Sequence, residues 1–202
     1  MIFYSLVIII SSVTIYLLNF FLNPMNLEWW VYLIWLIGFI LAVFIIDALV
    51  ATIIRKCMPE KWFSYKKRLF KTSDREIKFY KAIGVDKWKN HIPELGGFTN
   101  FHKNKVENPF DNEYISRFIL EACYGIAIHL YSVPASFLIL LLDFNMYTNG
   151  SILFLTMGLP VAIINSFLIV LPAFILKYNL PRLIRIHENN IKIQEKRLQK
   201  AN

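Results

Sequence analysis

The sequence predicts an all-α integral membrane protein with four transmembrane helices and a basic, partly helical cytoplasmic insert between helices 2 and 3. Two observations lead to this prediction. Hydrophobic residues make up 56% of the 202 residues, which exceeds the apolar share of an ordinary soluble domain. Four runs, residues 2–22, 29–54, 114–142 and 151–176, each approach or exceed the ~20 apolar positions that a helix needs to cross a bilayer.

The distribution of positive charge predicts the orientation. All 22 Lys and Arg residues lie between Arg55 and Arg117 or from Lys177 onward. Positive residues mark the cytoplasmic side, so both termini are expected in the cytoplasm. The net charge of +8 is then expected to face anionic membrane lipid, with a phosphate-bearing ligand as the alternative and no nucleic-acid partner. The predicted parts are transmembrane helices 1 and 2 (1–54), the insert (55–113), transmembrane helices 3 and 4 (114–176) and a basic cytoplasmic tail (177–202).

The first two helices are bounded by a turn and by aromatic residues. Helix 1 is expected to end at the turn around Pro24, because proline cannot continue a helix there. Trp29 and Trp30 then start helix 2 with their indoles at the level of the lipid headgroups. Asp47 lies near the inner end of helix 2. It could anchor that end by pairing with a basic residue of the insert, or it could belong to a polar site beside helix 3.

The insert contains a predicted short amphipathic helix. Ser73 followed three residues later by Glu76 is a capping box, which is typical of a helix start. Tyr80 lies on the apolar face of this helix, and Gly84 is expected to end it in the left-handed conformation. Because the helix is short, basic and amphipathic, we expect it to lie on the inner leaflet.

Helix 3 carries two ionisable groups in its interior, Glu121 and His129. Each costs roughly 2.5 to 3.5 kcal/mol inside hydrocarbon, so such groups are rarely present without a use. With Gly125 between them they form one polar, notched face, but eight residues of helix separate them by about 12 Å, too far for a direct hydrogen bond. They are expected to flank one substrate or to have separate partners, with Arg117 a candidate partner of Glu121. Pro134 is expected to kink the helix next to His129.

The remainder of the chain predicts no metal site and no disulfide. Helix 4 is expected to end near residue 176, and the polar tail from His187 onward to form an exposed helix. The four histidines are too scattered to argue for a metal, and Cys57 and Cys123 lie at different depths. The sequence holds no phosphate-binding loop and no dinucleotide fingerprint.

Three short motifs, in order along the chain, carry a resemblance to a known family. The first is Lys87-Trp88-Lys89 with Pro93 and Gly96-Gly97, the second is Glu121 with His129, and the third is Tyr178-Asn179-x-Pro181-Arg182-Leu183. Together they resemble the bacterial membrane family of glycosyl-4,4'-diaponeurosporenoate acyltransferases, which esterify the sugar of a carotenoid glycoside with a fatty acyl group. The resemblance covers roughly residues 58–187.

The resemblance implies an acyltransferase in the bacterial plasma membrane. His129 would be the base that activates the acceptor hydroxyl, and Glu121 would orient the substrate or a partner group. The implied substrate-binding residues are Lys87, Trp88, Lys89, Asn179 and Arg182. Their positive charges would suit the phosphates of acyl-CoA or a similar activated donor, which would be a co-substrate. No bound cofactor is expected, and the other partners would be membrane lipids and a lipophilic glycoside acceptor.

The same residues leave other interpretations open. His129 could be a hydrogen-bonded packing residue or part of a path for protons or a ligand. Glu121 could be a structural partner of a basic residue, and Trp88 an anchor in the core. Asn179 could cap a helix end, and Arg182 could contact a lipid phosphate.

Helix 3 departs from the family pattern in a way that favours a rival hypothesis. The pattern Glu-x-x-Arg-x-Glu-x-x-His-Trp is kept at Glu121 and His129, but Tyr124, Ile126 and Leu130 replace its Arg, second Glu and Trp. The loss of two charges favours a non-catalytic accessory protein, or a lipid or ion carrier, on the same scaffold. The retained imidazole and the Lys-Trp-Lys motif favour the enzyme.

Overall fold

The computed structural model of the chain describes residues 2–22, 26–92, 106–141 and 153–201. Over these residues the fold is all-α, with no strand. The α-helices in chain order are α1 (Ile2–Leu22), α2 (Trp29–Thr52), α3 (Asp74–Ala82), α4 (Val85–Trp88), α5 (Asn112–Ala135) and α6 (Leu159–Ala201). Short π- or 3₁₀-helical segments adjoin them at Ile53–Cys57, Glu60–Trp62, Lys89–His91, Ser136–Leu141 and Phe154–Gly158.

Four helical stretches are long and apolar enough to cross a membrane: Ile2–Leu22, Trp29–Cys57, Asn112–Leu141 and Phe154–Lys200. They correspond to the four predicted runs, so the predicted fold class is confirmed. α3 and α4 are the helical part of the insert between the second and third stretches. The predicted turn at Pro24 and the predicted loop with Pro93 and Gly96-Gly97 lie outside the described residues.

α6 is longer than the sequence predicted. The prediction ended the fourth helix near residue 176, but α6 runs unbroken through Pro172 and Pro181 to Ala201. The tail from His187 is helical, as expected, and it is the end of this same helix. Asn179 therefore lies in the middle of a helix, so its interpretation as a helix-end cap is wrong.

A hydrogen bond from outside the helix explains why α6 continues through Pro181. Proline has no N–H, so it leaves the carbonyl four residues earlier without its helical partner. For Pro181 that carbonyl belongs to Lys177, and the hydroxyl Oγ1 of Thr72 donates to it at 2.9 Å. Because the carbonyl is satisfied, the helix can accept proline at this position without an unpaired acceptor.

The same replacement of donors occurs earlier in α6. The carbonyl of Leu168 lies four residues before Pro172 and accepts a hydrogen bond from the hydroxyl of Tyr4 in α1. The carbonyl of Thr156 lies four residues before the first proline of the helix and accepts from Nδ2 of Asn19 at 3.1 Å. The sequence prediction missed the length of α6 because these donors lie far away along the chain.

The described chain forms two compact units. The first consists of Met1–Cys57 with Ile128–Leu171, and the second of Met58–Ala127 with Pro172–Asn202. The core of the first unit is apolar, and its buried residues are Ile15, Tyr32, Leu36, Phe39, Val43, Ile139, Leu153, Phe154, Met157, Val161 and Ala162.

The first unit also contains a cluster of polar side chains around Asn165. Its Nδ2 donates to Oδ2 of Asp47 at 3.1 Å and to Oγ of Ser136 at 2.9 Å. The hydroxyl of Ser136 donates in turn to the carbonyl of Ser132 at 2.9 Å. Of the two interpretations of Asp47, these contacts agree with the polar site beside the third membrane-length helix.

The second unit contains the predicted helix of the insert as α3. Oγ of Ser73 accepts from the Glu76 amide at 3.2 Å, and the Ser73 amide donates to Oε2 of Glu76 at 2.8 Å, so the capping box is confirmed. Gly84 has a φ of 70° and ends α3 in the left-handed conformation, also as predicted. Tyr80 is buried against Phe174 of α6, with ring centroids 5.4 Å apart.

α5 and α6 approach closely in the second unit at Gly125. A Cβ atom at this position would lie 2.6 Å from Cδ1 of Leu176. Real Cβ contacts are not that short, so a larger residue would force Leu176 to move. The predicted notch on this face of α5 is therefore filled by a side chain of α6.

The hydrogen bond from Thr72 to the Lys177 carbonyl predicts that a Thr72 variant loses stability only when Pro181 is present. Thr72→Val should lower the free energy of unfolding by about 1 kcal/mol, because the carbonyl loses its donor, whereas Thr72→Ser should keep it. In a Pro181→Ala background the new alanine N–H takes over the carbonyl, and Thr72→Val should then have almost no effect. Unfolding in detergent micelles measures these differences.

Thr14→Val is the matched control, since Thr14 only bonds back to its own helix at Ile10 and that carbonyl keeps its backbone donor. An equal loss on Thr72→Val with and without Pro181 would contradict the explanation.

Candidate active site

A cleft of about 640 Å³ lies in the second unit. It is lined by Glu60, Lys61, Phe63, Ser64 and Tyr65 from the segment after α2, by Glu113, Ser116, Arg117, Ile119 and Leu120 from α5, and by His187 from α6. Its volume falls in the range of small-molecule sites, which is roughly 300 to 1,000 Å³. All of the described residues that line it belong to one compact unit.

The start of α5 orients one wall of the cleft. Oδ1 of Asp111 accepts hydrogen bonds from the amides of Glu113 at 2.9 Å and Tyr114 at 3.2 Å, which caps the first turn. From this start, positions 113, 116, 117 and 120 lie on one helical face because they are three and four residues apart. The cap therefore fixes which side chains of α5 meet the cleft.

Aromatic packing holds the part of the lining that comes from residues 60–65. Phe63 is buried, and its ring lies 4.4 Å from the ring of Tyr124 and 6.4 Å from the ring of Phe70, measured between centroids. A short 3₁₀ helix, Glu60–Trp62, leads into Phe63. The segment from residue 60 to 65 is thus tied to α5 although it contains no long helix.

Glu121 forms an ion pair with Arg117. Nη2 of Arg117 lies 2.9 Å from Oε1 of Glu121, with the Glu121 side chain 9% exposed and the Arg117 side chain 55% exposed. Arg117 lines the cleft, whereas Glu121 is not among the lining residues. The structure therefore agrees with the interpretation of Glu121 as the partner of a basic residue, and the pair holds Arg117 at the cleft.

His129 lies further along α5, in the part that belongs to the first unit. Its ring is half-buried and lines neither the cleft nor the smaller cavity beside Asp47 and Asn165. Eight residues of continuous helix separate it from Glu121, which corresponds to about 12 Å of rise. The catalytic role of His129 stays a prediction.

His187 is the imidazole that lines the cleft, and the sequence interpretation did not select it. Its Nδ1 is buried and has no hydrogen-bond partner among the described residues. A signal was present, because Leu180, Leu183 and Asn190 are buried at helical spacing on either side of His187. In a helix that continues past residue 176, this spacing places His187 near the buried face.

The Lys-Trp-Lys motif lies at α4, outside the cleft lining. Nε1 of Trp88 donates to the carbonyl of Ile83 at 2.9 Å, which agrees with its interpretation as an anchor. Nζ of Lys89 bonds Oδ1 of Asp86 at 3.0 Å and lies 6.0 Å from the centroid of the Tyr178 ring. Lys87 is exposed.

Asp86 joins α4 to the third motif. Its carboxylate accepts a hydrogen bond from the Tyr178 hydroxyl. This bond, and then the one from Lys89, hold the pKa of Asp86 below its ordinary value. In the same motif Asn179 is half-buried and Arg182 is exposed in the middle of α6, and neither lines the cleft.

A second ion pair ties α3 to α6. Nζ of Lys177 lies 2.6 Å from Oε1 of Glu76. Partial burial raises the pKa of Glu76, but the hydrogen bonds from Lys177 and Ser73 outweigh this and lower it overall. Among the residues that the structure describes, no three His, Cys, Asp or Glu side chains are grouped so that they could hold a metal ion.

The fold and the cleft define a class of protein: a multi-pass helical membrane protein with a ligand-sized cleft, lined by polar and apolar side chains, in one of its two units. A family model described as glycosyl-4,4'-diaponeurosporenoate acyltransferase matches residues 59–189, and because this is more than half of the chain, the protein belongs to that family. The resemblance carried by the three motifs is therefore confirmed. Comparison with curated proteins and with solved structures gave no match.

The Glu76–Lys177 pair predicts how stability changes with pH. Because the folded pKa of Glu76 is lowered, the pair stabilises the fold above the ordinary pKa of 4.5, and this contribution is lost as the pH falls through the folded pKa. The difference in unfolding free energy between the parent and Glu76→Gln should thus be largest near neutral pH and shrink below about pH 4. Chemical unfolding at several pH values measures it.

Glu188→Gln, at an exposed position of α6, is the control and should follow the parent at every pH. A difference for Glu76→Gln that stays constant down to pH 3 would contradict the proposed pairing.

Proposed function

We propose that this protein is a membrane-embedded acyltransferase that esterifies a hydroxyl of a lipophilic acceptor, such as a sugar hydroxyl of a glycosylated carotenoid, with a fatty acyl group. One observation carries the proposal: the family match at residues 59–189 includes every described residue that lines the cleft. Family membership implies acyl transfer, and the cleft supplies a place for a small-molecule group within the matched region.

The proposed reaction needs a base and a donor. The acceptor oxygen attacks the carbonyl carbon of an acyl thioester such as acyl-CoA, a new C–O bond forms and the C–S bond breaks. A base takes the hydroxyl proton and returns it to the departing thiolate. We propose His129 as the base, because it keeps the family's position, and Glu121 as a positioning residue that acts through Arg117.

The acyl donor is proposed to meet the basic residues outside the cleft. The contacts of Lys89 and Asp86 with Tyr178 join α4 to the third motif, so the two motifs are adjacent. This adjacency supports a shared site for the phosphates of the donor. Its members would be Lys87, Trp88, Lys89, Asn179 and Arg182.

We also propose that the protein lies in the bacterial plasma membrane with both termini in the cytoplasm. The four membrane-length helices support a multi-pass arrangement. All positive residues lie between Arg55 and Arg117 or from Lys177 onward, which supports the orientation.

A second candidate function is a non-catalytic lipid carrier or accessory protein. Tyr124 and Ile126, which replace two family charges, are 7% and 0% exposed. These positions are packed in the apolar interior and supply no charge to a reaction. This observation favours a chain that kept the scaffold and lost the chemistry.

His129→Ala separates the two functions. Lipids extracted from cells that express the parent should contain an acylated glycolipid that cells without the chain lack. If His129 is the base, the variant should reduce this species by about 100-fold or more, since a well-placed general base contributes roughly 10² to 10⁴ in rate. Lipid mass spectrometry measures the product.

His91→Ala, at an exposed histidine of the second unit, is the control and should leave the product unchanged. Equal product with His129→Ala and parent would exclude His129 as the base. No acylated species with the parent would favour the carrier.

A further inference from the structure

The cleft of the second unit has a lining whose formal charges cancel. Glu60 and Glu113 supply two carboxylates, and Lys61 and Arg117 supply two cations. Arg117 also forms an ion pair with Glu121, four residues later in α5. A phosphate group in this cleft would therefore face carboxylates at least as numerous as the cations, and like charges in close contact cost several kcal/mol.

An uncharged ligand with many hydroxyls fits the same lining. Each hydroxyl of such a ligand is both a donor and an acceptor, so it needs partners of both kinds. The carboxylates of Glu60 and Glu113 accept, the cations of Lys61 and Arg117 donate, and hydroxyls do both. The lining hydroxyls are those of Ser64, Tyr65 and Ser116.

The apolar part of the lining suits the rest of such a ligand. Phe63, Ile119 and Leu120 line the cleft together with the polar groups. Aliphatic and aromatic surfaces pack against the C–H face of a sugar ring and against the beginning of an apolar chain. Phe63 is itself held in place by Tyr124, so this surface is fixed before a ligand arrives.

His187 adds an independent observation. The residue lines the cleft, and its buried Nδ1 has no hydrogen-bond partner among the described residues. An unpaired buried nitrogen costs about 1 to 3 kcal/mol, and a small shift of the ring toward a bound polar group would satisfy it. The residue that needs a partner thus lies in the wall of the cleft.

We propose that this cleft binds the uncharged, hydroxyl-rich head group of the lipophilic acceptor, a sugar joined to an apolar chain, and not the phosphates of the acyl donor. The proposal rests on the proposed function for the identity of the acceptor, and on the cleft alone for the class of ligand. Because His129 does not line the cleft, the proposal assigns where the head group is held and does not assign the base, which the His129→Ala variant tests separately. The proposal separates the acceptor site from the basic residues around Lys87 and Arg182, where the donor phosphates are proposed to bind.

Protection of an engineered thiol tests the proposal at the site itself. The full chain in lipid nanodiscs carries Cys57→Ser, which removes the exposed native thiol and leaves the buried Cys123, together with Ser116→Cys in the cleft. Hexyl glucoside and hexyl phosphate share one tail and differ only in the head group. Hexyl glucoside should slow maleimide labelling at position 116 at least threefold, and hexyl phosphate should leave the rate unchanged. A Glu195→Cys variant, on the exposed end of α6, should label at the same rate throughout.

Removal of the carboxylates of the cleft, which accept hydrogen bonds from the ligand, should weaken this protection. Glu60→Gln and Glu113→Gln keep the size of the side chain, and each should raise the concentration of hexyl glucoside for half protection about tenfold, as expected for a hydrogen bond to a charged group. Glu195→Gln is the matched control and should not change it.

Three outcomes would overturn the proposal: protection by hexyl phosphate alone, equal protection by both ligands, or no protection by either. Analysis of lipids extracted from cells with the cleft variants distinguishes a failure of this proposal from a failure of the proposed function. An acylated species made in equal amounts by the parent, Glu60→Gln and Glu113→Gln would leave the acyltransferase standing and contradict sugar binding in this cleft. Absence of that species with the parent would remove the acyltransferase, while the protection assay would still decide the ligand class.

Discussion

The structure depends on the satisfaction of carbonyl groups that proline leaves without a donor. α6 contains prolines at 172 and 181, and each removes one backbone hydrogen bond of the helix. A buried carbonyl left without a donor costs free energy comparable to a lost hydrogen bond, so each of these carbonyls needs a donor from elsewhere. Tyr4 and Thr72 supply the missing donors. These two hydroxyls therefore satisfy the carbonyls that the prolines of α6 leave without a backbone donor.

The continuity of α6 has a direct effect on the candidate site. Because the helix does not end near residue 176, Lys177 and Tyr178 project from a rigid element and can hold Glu76 and Asp86 of the insert. The same helix carries His187 to the wall of the cleft. Thr72 donates to the Lys177 carbonyl and directly precedes Ser73, whose capping box starts α3. One contact thus supports both the helix that bears His187 and the insert that packs on it.

The features that the sequence predicted correctly are those that interactions between neighbouring residues determine. The four apolar runs, the capping box at Ser73 and the left-handed Gly84 all depend on neighbouring residues, and each is confirmed. The length of α6 was mispredicted because Tyr4 and Leu168 are 164 residues apart, and proline by itself indicates a helix end. The ion pair of Arg117 with Glu121 was foreseen because a spacing of four residues puts both on one helical face. His187 was missed because a helix thought to end early cannot place it.

The third membrane-length helix, α5, carries both buried packing residues and accessible polar residues. Tyr124 packs against Phe63 with the two rings tilted, and Ile126 is fully buried, so both residues serve packing. The polar groups of α5 that remain accessible in the second unit lie on the adjoining face, at 113, 116 and 117, where Arg117 is fixed by Glu121. His187 lines the cleft of this unit. His129 belongs to the first unit, in which Asn165 bonds to Asp47 and to Ser136. The two imidazoles, His129 and His187, therefore lie in different units of the chain, and each has to be tested for catalysis by itself.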